Sequence, residues 1–230
     1  MQAGLSEDRP RRLGVVALGD SITLGEGSMT LGVTALSWAQ WLARALDLPY
    51  TCYAANGART ADMRHEQLAR VRADYDVAAL YAGVNDVRGT DWDAAAYERD
   101  LDAIATALVA RCERLLMLTL PLDLGRPTSA PKPAAAGAAV RRVAATHGAV
   151  VVELDDFGSW TTVLPDAVHP TPLGQVEIAD RAARALGAAM LPSGLVPSYT
   201  ASRVRYAPRH ARALVRDLTR RGIERVVRPG

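Results

Sequence analysis

Five short apolar runs, each followed by a longer amphipathic stretch, confine this chain to very few architectures. The runs are Leu13–Leu18, closed by Gly19; Tyr50–Ala54; Val77–Ala82, closed by Gly83; Leu115–Leu120; and Val150–Leu154. A run apolar at every position, rather than at every second one, suits a strand buried on both faces of a parallel sheet. The stretches between them carry helical periodicity. Ala35–Leu46 places Leu36, Trp38, Ala39, Leu42, Ala45 and Leu46 on one side, and Pro49 ends it. Thr60–Arg72 is expected as a helix with Thr60 as N-cap. Asp93–Arg111 aligns Ala94, Tyr97, Leu101, Ile104, Ala105 and Leu108, and Ala134–His147 follows the Pro-rich loop Pro121–Pro133. A last helix starts at Thr171 as N-cap, with Pro172 in the first helical position, and runs to about Leu186. Strands that alternate with helices are joined by right-handed crossovers, so the expectation is one α/β domain with about five parallel strands.

The rest of the composition mainly excludes. Half of the 230 residues are hydrophobic and 23% are charged, the profile of a globular chain of one-domain size. No stretch of about 18 apolar residues is present to span a membrane. The N-terminal residues carry Glu7 and Asp8 where a secretory signal would be basic or apolar, so the expected location is cytoplasmic. Two cysteines, Cys52 and Cys112, form neither a CxxC nor a metal-ligand spacing, and Cys52 is expected as a small buried side chain. The histidines His65, His147, His169 and His210 show no HxxxH or HxH spacing. No metal and no organic cofactor is expected.

In open parallel sheets ligands bind beyond the carboxyl ends of the strands. There the chain carries Gly19-Asp20-Ser21, Asn56-Gly57, Gly83-Val84-Asn85-Asp86 and, beyond the fifth run, Asp166-Ala167-Val168-His169-Pro170. Acyl transfer needs a nucleophile, a base, a group that orients the base, and donors for the developing oxyanion. Ser21 at the tip of the first strand, His169, and Asp166 three residues before it meet the first three needs. The Ser21 N–H, the Gly57 N–H and the Asn85 side-chain amide meet the fourth. Each segment alone has an ordinary reading: Ser21 as a helix or turn cap, Asn85-Asp86 as a turn, Asp166 as a cap and His169 as an exposed loop residue. All of those readings must hold at once to dismiss the site. Asp20 and Asp86 are expected to organise the loops, Gly83 to permit a tight backbone turn, and Arg59 and Arg88 to be solvated.

GDS near the N-terminus, a glycine after the second strand, GxND after the third and DxxH near the C-terminus resemble, in that order, the four blocks of the SGNH/GDSL hydrolases. The resemblance spans roughly residues 13–186, with Ile22-Thr23 in place of the leucine after the serine. It implies a flavodoxin-like three-layer α/β/α sandwich with strand order 2-1-3-4-5. It also implies a serine esterase or acylhydrolase with Ser21, Asp166 and His169 as catalytic triad and Ser21, Gly57 and Asn85 as oxyanion hole. No G-x-S-x-G elbow occurs, which argues against an ordinary α/β-hydrolase. The substrate implied is a small-molecule or lipid ester, and the open site expected from the short loops favours small acyl groups. The alternatives are a deacetylase or acyltransferase of a carbohydrate or secondary metabolite, and a catalytically silent binding module.

Charge divides the chain at about residue 192. Residues 193–230 hold nine arginines against Asp217 and Glu224, whereas the preceding body is mildly acidic. Residues 1–192 are therefore expected to form the hydrolase domain, and 193–230 a basic extension. A short helix in that extension would place Ala211, Leu214, Val215 and Leu218 on one face, packed on the body or in weak contact with a membrane surface. No nucleic-acid recognition motif accompanies the arginines.

Overall fold

The structure, a computed structural model, describes residues 12–25, 32–124 and 131–196, together with 207, 208, 211, 212, 215, 216 and 219. Its centre is a five-stranded sheet in which β1 (Val15–Gly19), β2 (Tyr50–Cys52), β3 (Tyr75–Tyr81), β4 (Cys112–Leu118) and β5 (Val150–Val152) stand in the order β2-β1-β3-β4-β5. All four pairings are parallel, with Val15 opposite both Tyr50 and Val77, and Leu116 opposite both Ala79 and Val150. The expected order 2-1-3-4-5 is the observed one.

The strands are largely apolar because both faces are covered, and the charged exceptions, Asp76 on β3 and the exposed Glu113 and Arg114 on β4, lie near the strand starts. Helices α2 (Trp38–Ala45) and α7 (Pro172–Ala185) pack together on one face, and α5 (Ala94–Val109) and α6 (Lys132–His147) pair on the other. Every residue of β1 is buried, and of the expected α5 stripe Tyr97, Leu101, Ile104, Ala105 and Leu108 enter the core, whereas Ala94, in the first turn, is exposed. Helix starts follow ordinary capping chemistry. Asp93 accepts from the Ala95 and Ala96 N–H groups, and Thr171 accepts from the Gly174 N–H ahead of α7. Short helices α1 (Ser21–Leu24) and α4 (Val84–Arg88) follow β1 and β3.

One expected helix is rebuilt. Thr60–Arg72 divides into α3 (Thr60–Asp62), a π-helical turn Met63–Gln67 and a 3₁₀ turn Leu68–Arg70, and Thr60 lies inside the first turn rather than capping it. The Thr60 hydroxyl and N–H both donate to Asp86 instead. The wider turn carries the buried Gln67 amide to the Gly19 peptide, donating to its carbonyl at 2.8 Å and accepting from its N–H at 3.0 Å.

Cys52 and Cys112 are unpaired thiols and only half-buried. No helix among the described residues is long and apolar enough to cross a membrane. The expected C-terminal amphipathic helix falls largely outside the described residues. The 3₁₀ turn Pro192–Leu195, where the basic extension begins, packs against α7 and α2.

The segment between β5 and α7 is the part that most affects the site. An antiparallel bridge joins Val163 to Pro170, the Thr171 N–H donates to the Thr162 carbonyl at 2.8 Å, and the Thr171 hydroxyl donates to Thr161 O at 2.7 Å. Helix α7 presses so closely on this loop that a Cβ at Gly174 would lie 1.9 Å from the Thr162 carbonyl oxygen. Gly174→Ala must move backbone rather than a side-chain end. It is expected to destabilise the fold by roughly 3 kcal/mol, at the upper end for overpacking, read as a lower midpoint of denaturant unfolding.

Candidate active site

Four strand exits converge at the point where the strand order reverses, between β1 and β3. Ser21 opens α1, with the buried Asp20 as its N-cap: one Asp20 oxygen accepts from Ile22 N–H at 2.9 Å. The Ser21 N–H therefore lies among the first N–H groups of a helix, which have no partner within it. Ser21 Oγ is 2.9 Å from His169 Nε2, and His169 Nδ1 is 2.6 Å from an Asp166 oxygen. The other Asp166 oxygen accepts from the Val168 and His169 N–H groups at 2.9 and 3.0 Å. Ala167, between them, takes a left-handed backbone (φ 59°) that turns the chain back on itself.

These contacts settle the charge of Asp166. Burial pushes its pKa up, but the hydrogen bonds from the His169 ring and from the two N–H groups prevail and hold it at about 2. It stays ionised across the ordinary pH range, with its charge directed at the imidazole.

Gly57 and Asn85 follow β2 and β3, the two strands that flank β1. Gly57 is exposed with φ 75°, and a Cβ there would meet nothing within 4 Å. Asn85 Nδ2 donates to Ala58 O at 3.1 Å and to Asp20 at 3.3 Å, so its amide faces the Ser21 turn. Gly83 reaches φ 117° ahead of α4, and a Cβ there would fall 2.8 Å from the Tyr97 hydroxyl, so a tight turn is its role as expected. The structure thus brings together Ser21, His169 and Asp166, with the Asn85 amide on the neighbouring Asp20 and on the carbonyl of Ala58, the residue after Gly57. Arg59 lies nearby but donates to Asp91 at 2.7 Å, and both side chains are well exposed. Among the described residues no group of three or more His, Cys, Asp or Glu side chains is placed to hold a metal ion.

Two supporting residues are not apparent in the sequence. Gln67 holds the Gly19 peptide. Gln175, on α7, accepts from Trp38 N–H at 2.8 Å and donates to Ile22 O at 3.0 Å, tying α7 to α1 and α2. Both glutamines are buried, but in helical patterns they look like surface positions. Asp20 was assigned to loop organisation, yet its burial carries an electrostatic consequence. Burial, with a further push from the nearby Asp86 carboxylate, raises its pKa to about 6 against 3.8 ordinarily.

A folded-state pKa raised above the unfolded value favours folding of the protonated form. The contribution of Asp20 is full below about pH 3.8 and is lost as pH rises through 6. Asn cannot ionise, so the stability of Asp20→Asn relative to wild type should improve by about 2 kcal/mol between pH 4.5 and pH 7.5. Urea unfolding of both proteins at the two pH values measures this, and a constant difference would contradict it.

Comparison with known proteins identifies the fold and the family. No curated protein matches the sequence. Among solved structures, LAE5, an alpha/beta hydrolase enzyme from the metagenome of Lake Arreo, Spain, is 22% identical with a TM-score of 0.64, over 76% of this chain and 95% of that one. A variant of Axe2, an acetyl xylan esterase from Geobacillus stearothermophilus, is 18% identical with a TM-score of 0.63, over 77% and 96% of the two chains. Catalytic mutants of Axe2 that replace a serine, an aspartate or a histidine by alanine share this fold as well. The GDSL-like Lipase/Acylhydrolase family matches residues 17–176. That match covers well over half of the sequence and all the strand exits described above, so the chain belongs to the GDSL-like Lipase/Acylhydrolase family and is a carboxylic ester hydrolase.

Proposed function

We propose that the chain cleaves small-molecule esters through an acyl-enzyme on Ser21, with His169 as general base and acid, Asp166 as its orienting partner, and Ser21 N–H, Gly57 N–H and Asn85 Nδ2 as the oxyanion hole. The observation that carries this reading is the unbroken relay from Ser21 Oγ through His169 to Asp166, at 2.9 and 2.6 Å. Both distances lie within hydrogen-bond reach for a nucleophile and its base.

In the first half-reaction Ser21 Oγ attacks the ester carbonyl carbon while its proton passes to His169 Nε2. The carbonyl oxygen takes up the negative charge between the three donors. The C–O bond to the alcohol then breaks as His169 Nε2 returns the proton to the leaving oxygen. Water repeats the sequence on the acyl-enzyme and releases the acid and free Ser21. Asp166 stays ionised throughout and stabilises the imidazolium, the role its low pKa suits. Asn85 now shares its two N–H bonds with Ala58 O and Asp20. The developing oxyanion would take over the longer of the two, at 3.3 Å, so this donor is engaged more strongly in the transition state than in the ground state. That Axe2 catalytic mutants remove a serine, an aspartate or a histidine is consistent with the assignment.

The test is hydrolysis of p-nitrophenyl acetate, butyrate and octanoate by wild type and three variants. Ser21→Ala is expected to lower kcat on the order of 10⁴-fold or more, and Asp166→Asn about 10⁴-fold. Asn85→Ala should lose about 100- to 1,000-fold, mainly in kcat. Equal activity of wild type and Ser21→Ala would remove the serine mechanism.

A further inference from the structure

We infer that Asp20 is a positioning residue for the proposed oxyanion hole: its carboxylate holds the Asn85 amide against the Ser21 turn, and only its ionised form does so. This rests on the mechanism proposed for Ser21 and adds to it a residue that acts through Asn85.

Asp20 directly precedes Ser21 and is 1% exposed, so its two oxygens depend on protein donors. Oδ1 accepts from the Ile22 N–H at 2.9 Å, which fixes the carboxylate to the first turn of α1, and Oδ2 accepts from Asn85 Nδ2 at 3.3 Å. The same Asn85 nitrogen donates to the Ala58 carbonyl at 3.1 Å, on the loop that carries Gly57. Two anchors on one nitrogen set the plane of the amide; with Ala58 alone the amide can turn about that bond. A donor oriented before charge develops costs no reorganisation when the oxyanion forms. The bond to Asp20 is long for its type, so it is the one that a shorter bond to an oxyanion displaces.

Both partners of Asp20 are donors, and a carboxylate, which only accepts, suits both at once. A protonated carboxyl carries a hydrogen on one oxygen, and a side-chain amide carries two on its nitrogen. Either would turn a donor toward the Ile22 N–H or toward Asn85, so Asp20→Asn is a permanent copy of the protonated state. Burial brings the change of state into the working range, raising the pKa from 3.8 to about 6. Among the described residues, the titratable groups facing Asp20 are Tyr81 on β3, Asp86 on α4 and His169 on the loop before α7. Burial holds the Tyr81 phenol neutral by raising its pKa well above the ordinary value. Asp86 opposes the ionisation of Asp20, and an imidazolium at His169 favours it. That imidazolium forms in the same step as the oxyanion and offsets the repulsion between oxyanion and Asp20. Alignment of the donor is then the larger effect.

The experiment measures p-nitrophenyl acetate hydrolysis by wild type, Asp20→Asn, Asn85→Ala and the double variant, per folded protein as read by circular dichroism. At pH 7.5 the kcat of wild type should exceed that of Asp20→Asn about 30-fold, with KM within about twofold, because alignment matters only once charge develops. Removing the donor altogether costs more, about 100- to 1,000-fold. At pH 4.5, where Asp20 is mostly protonated, the ratio should fall to about twofold. In the Asn85→Ala background Asp20→Asn should change kcat by less than about twofold at both pH values, because no amide is left to hold. That background keeps the charge of Asp20 on His169, so it separates an effect on the base from an effect on the donor. An equal loss in both backgrounds would make Asp20 merely structural and overturn the inference. So would a ratio that is constant with pH, or an Asp20→Asn protein faster than wild type, which would make repulsion the larger effect. Asn85→Ala as active as wild type overturns it too, since there would be no donor to position, while Ser21→Ala still reports separately on the nucleophile.

Discussion

Two buried glutamine amides hold the turn from which the site is built. Where β1 ends, its backbone leaves the sheet, and the peptide groups of Gly19 and Ile22 need partners in an interior without water. The Gln67 amide accepts from the Gly19 N–H and donates to the Gly19 carbonyl, which also accepts from the Ala55 N–H at 3.2 Å, and the Gln175 amide donates to the Ile22 carbonyl. Each such bond adds only about 1 kcal/mol net, but an unmet buried partner costs about 1–3 kcal/mol. The turn is therefore fixed as much by the cost of leaving these groups unmet as by the attraction of the bonds themselves. Because the two glutamines come from the π turn after α3 and from α7, they bind the Ser21 turn to elements far away in the chain. Gln175 also sits six residues after His169, on the helix that this histidine's loop feeds, so one side chain links the two ends of the Ser21–His169 hydrogen bond.

The loop that presents His169 is held in a different way, by backbone. The Val163–Pro170 bridge, the bond from Leu164 N–H to the His169 carbonyl at 2.8 Å, and the contact of Gly174 with Thr162 define its path without calling on the imidazole. Asp166 then closes a small ring, accepting from the N–H of the same histidine whose Nδ1 it holds. Main-chain pinning leaves the ring of His169 to be oriented by one carboxylate, an arrangement that a proton-transfer group requires.

Much of this was legible in the sequence, for physical reasons. Doubly covered parallel strands must be largely apolar, so Val15–Leu18 and Ala78–Tyr81 announce themselves, whereas the reversal of strand order was implied by the resemblance to the SGNH/GDSL hydrolases and not by periodicity. Polar residues at the strand exits stand out against that background, and Ser21, Asn85, Asp166 and His169 were found there. Residues whose role depends on distant chain were not legible. Gln67 and Gln175 are acceptable on any helix surface, and only the folded structure shows which peptides they meet. The π turn that aims Gln67 has no local signature in the sequence.

The carboxylates around Ser21 show why residue type and position alone do not assign a role. Asp20, Asp86 and Asp166 all lie within the strand-exit cluster, yet their surroundings separate them. Asp20 and Asp86 are shifted upward, in both cases chiefly by burial, and their oxygens are committed to backbone and side-chain donors of the loops. Asp166 is shifted downward because its hydrogen bonds outweigh its burial. Environments that push neighbouring acids apart in this way divide their tasks. The acid that stays ionised is the one bonded to the imidazole, where under the proposed mechanism a lasting negative charge would stabilise imidazolium. An acid that readily takes up a proton near pH 6 would be a poor partner there, because its charge would vanish when the imidazole needed it. Asp20 serves better where it is, bridging the Ile22 N–H and the Asn85 amide. Its ionised form can accept both bonds, which ties the start of α1 to the Asn85 side chain.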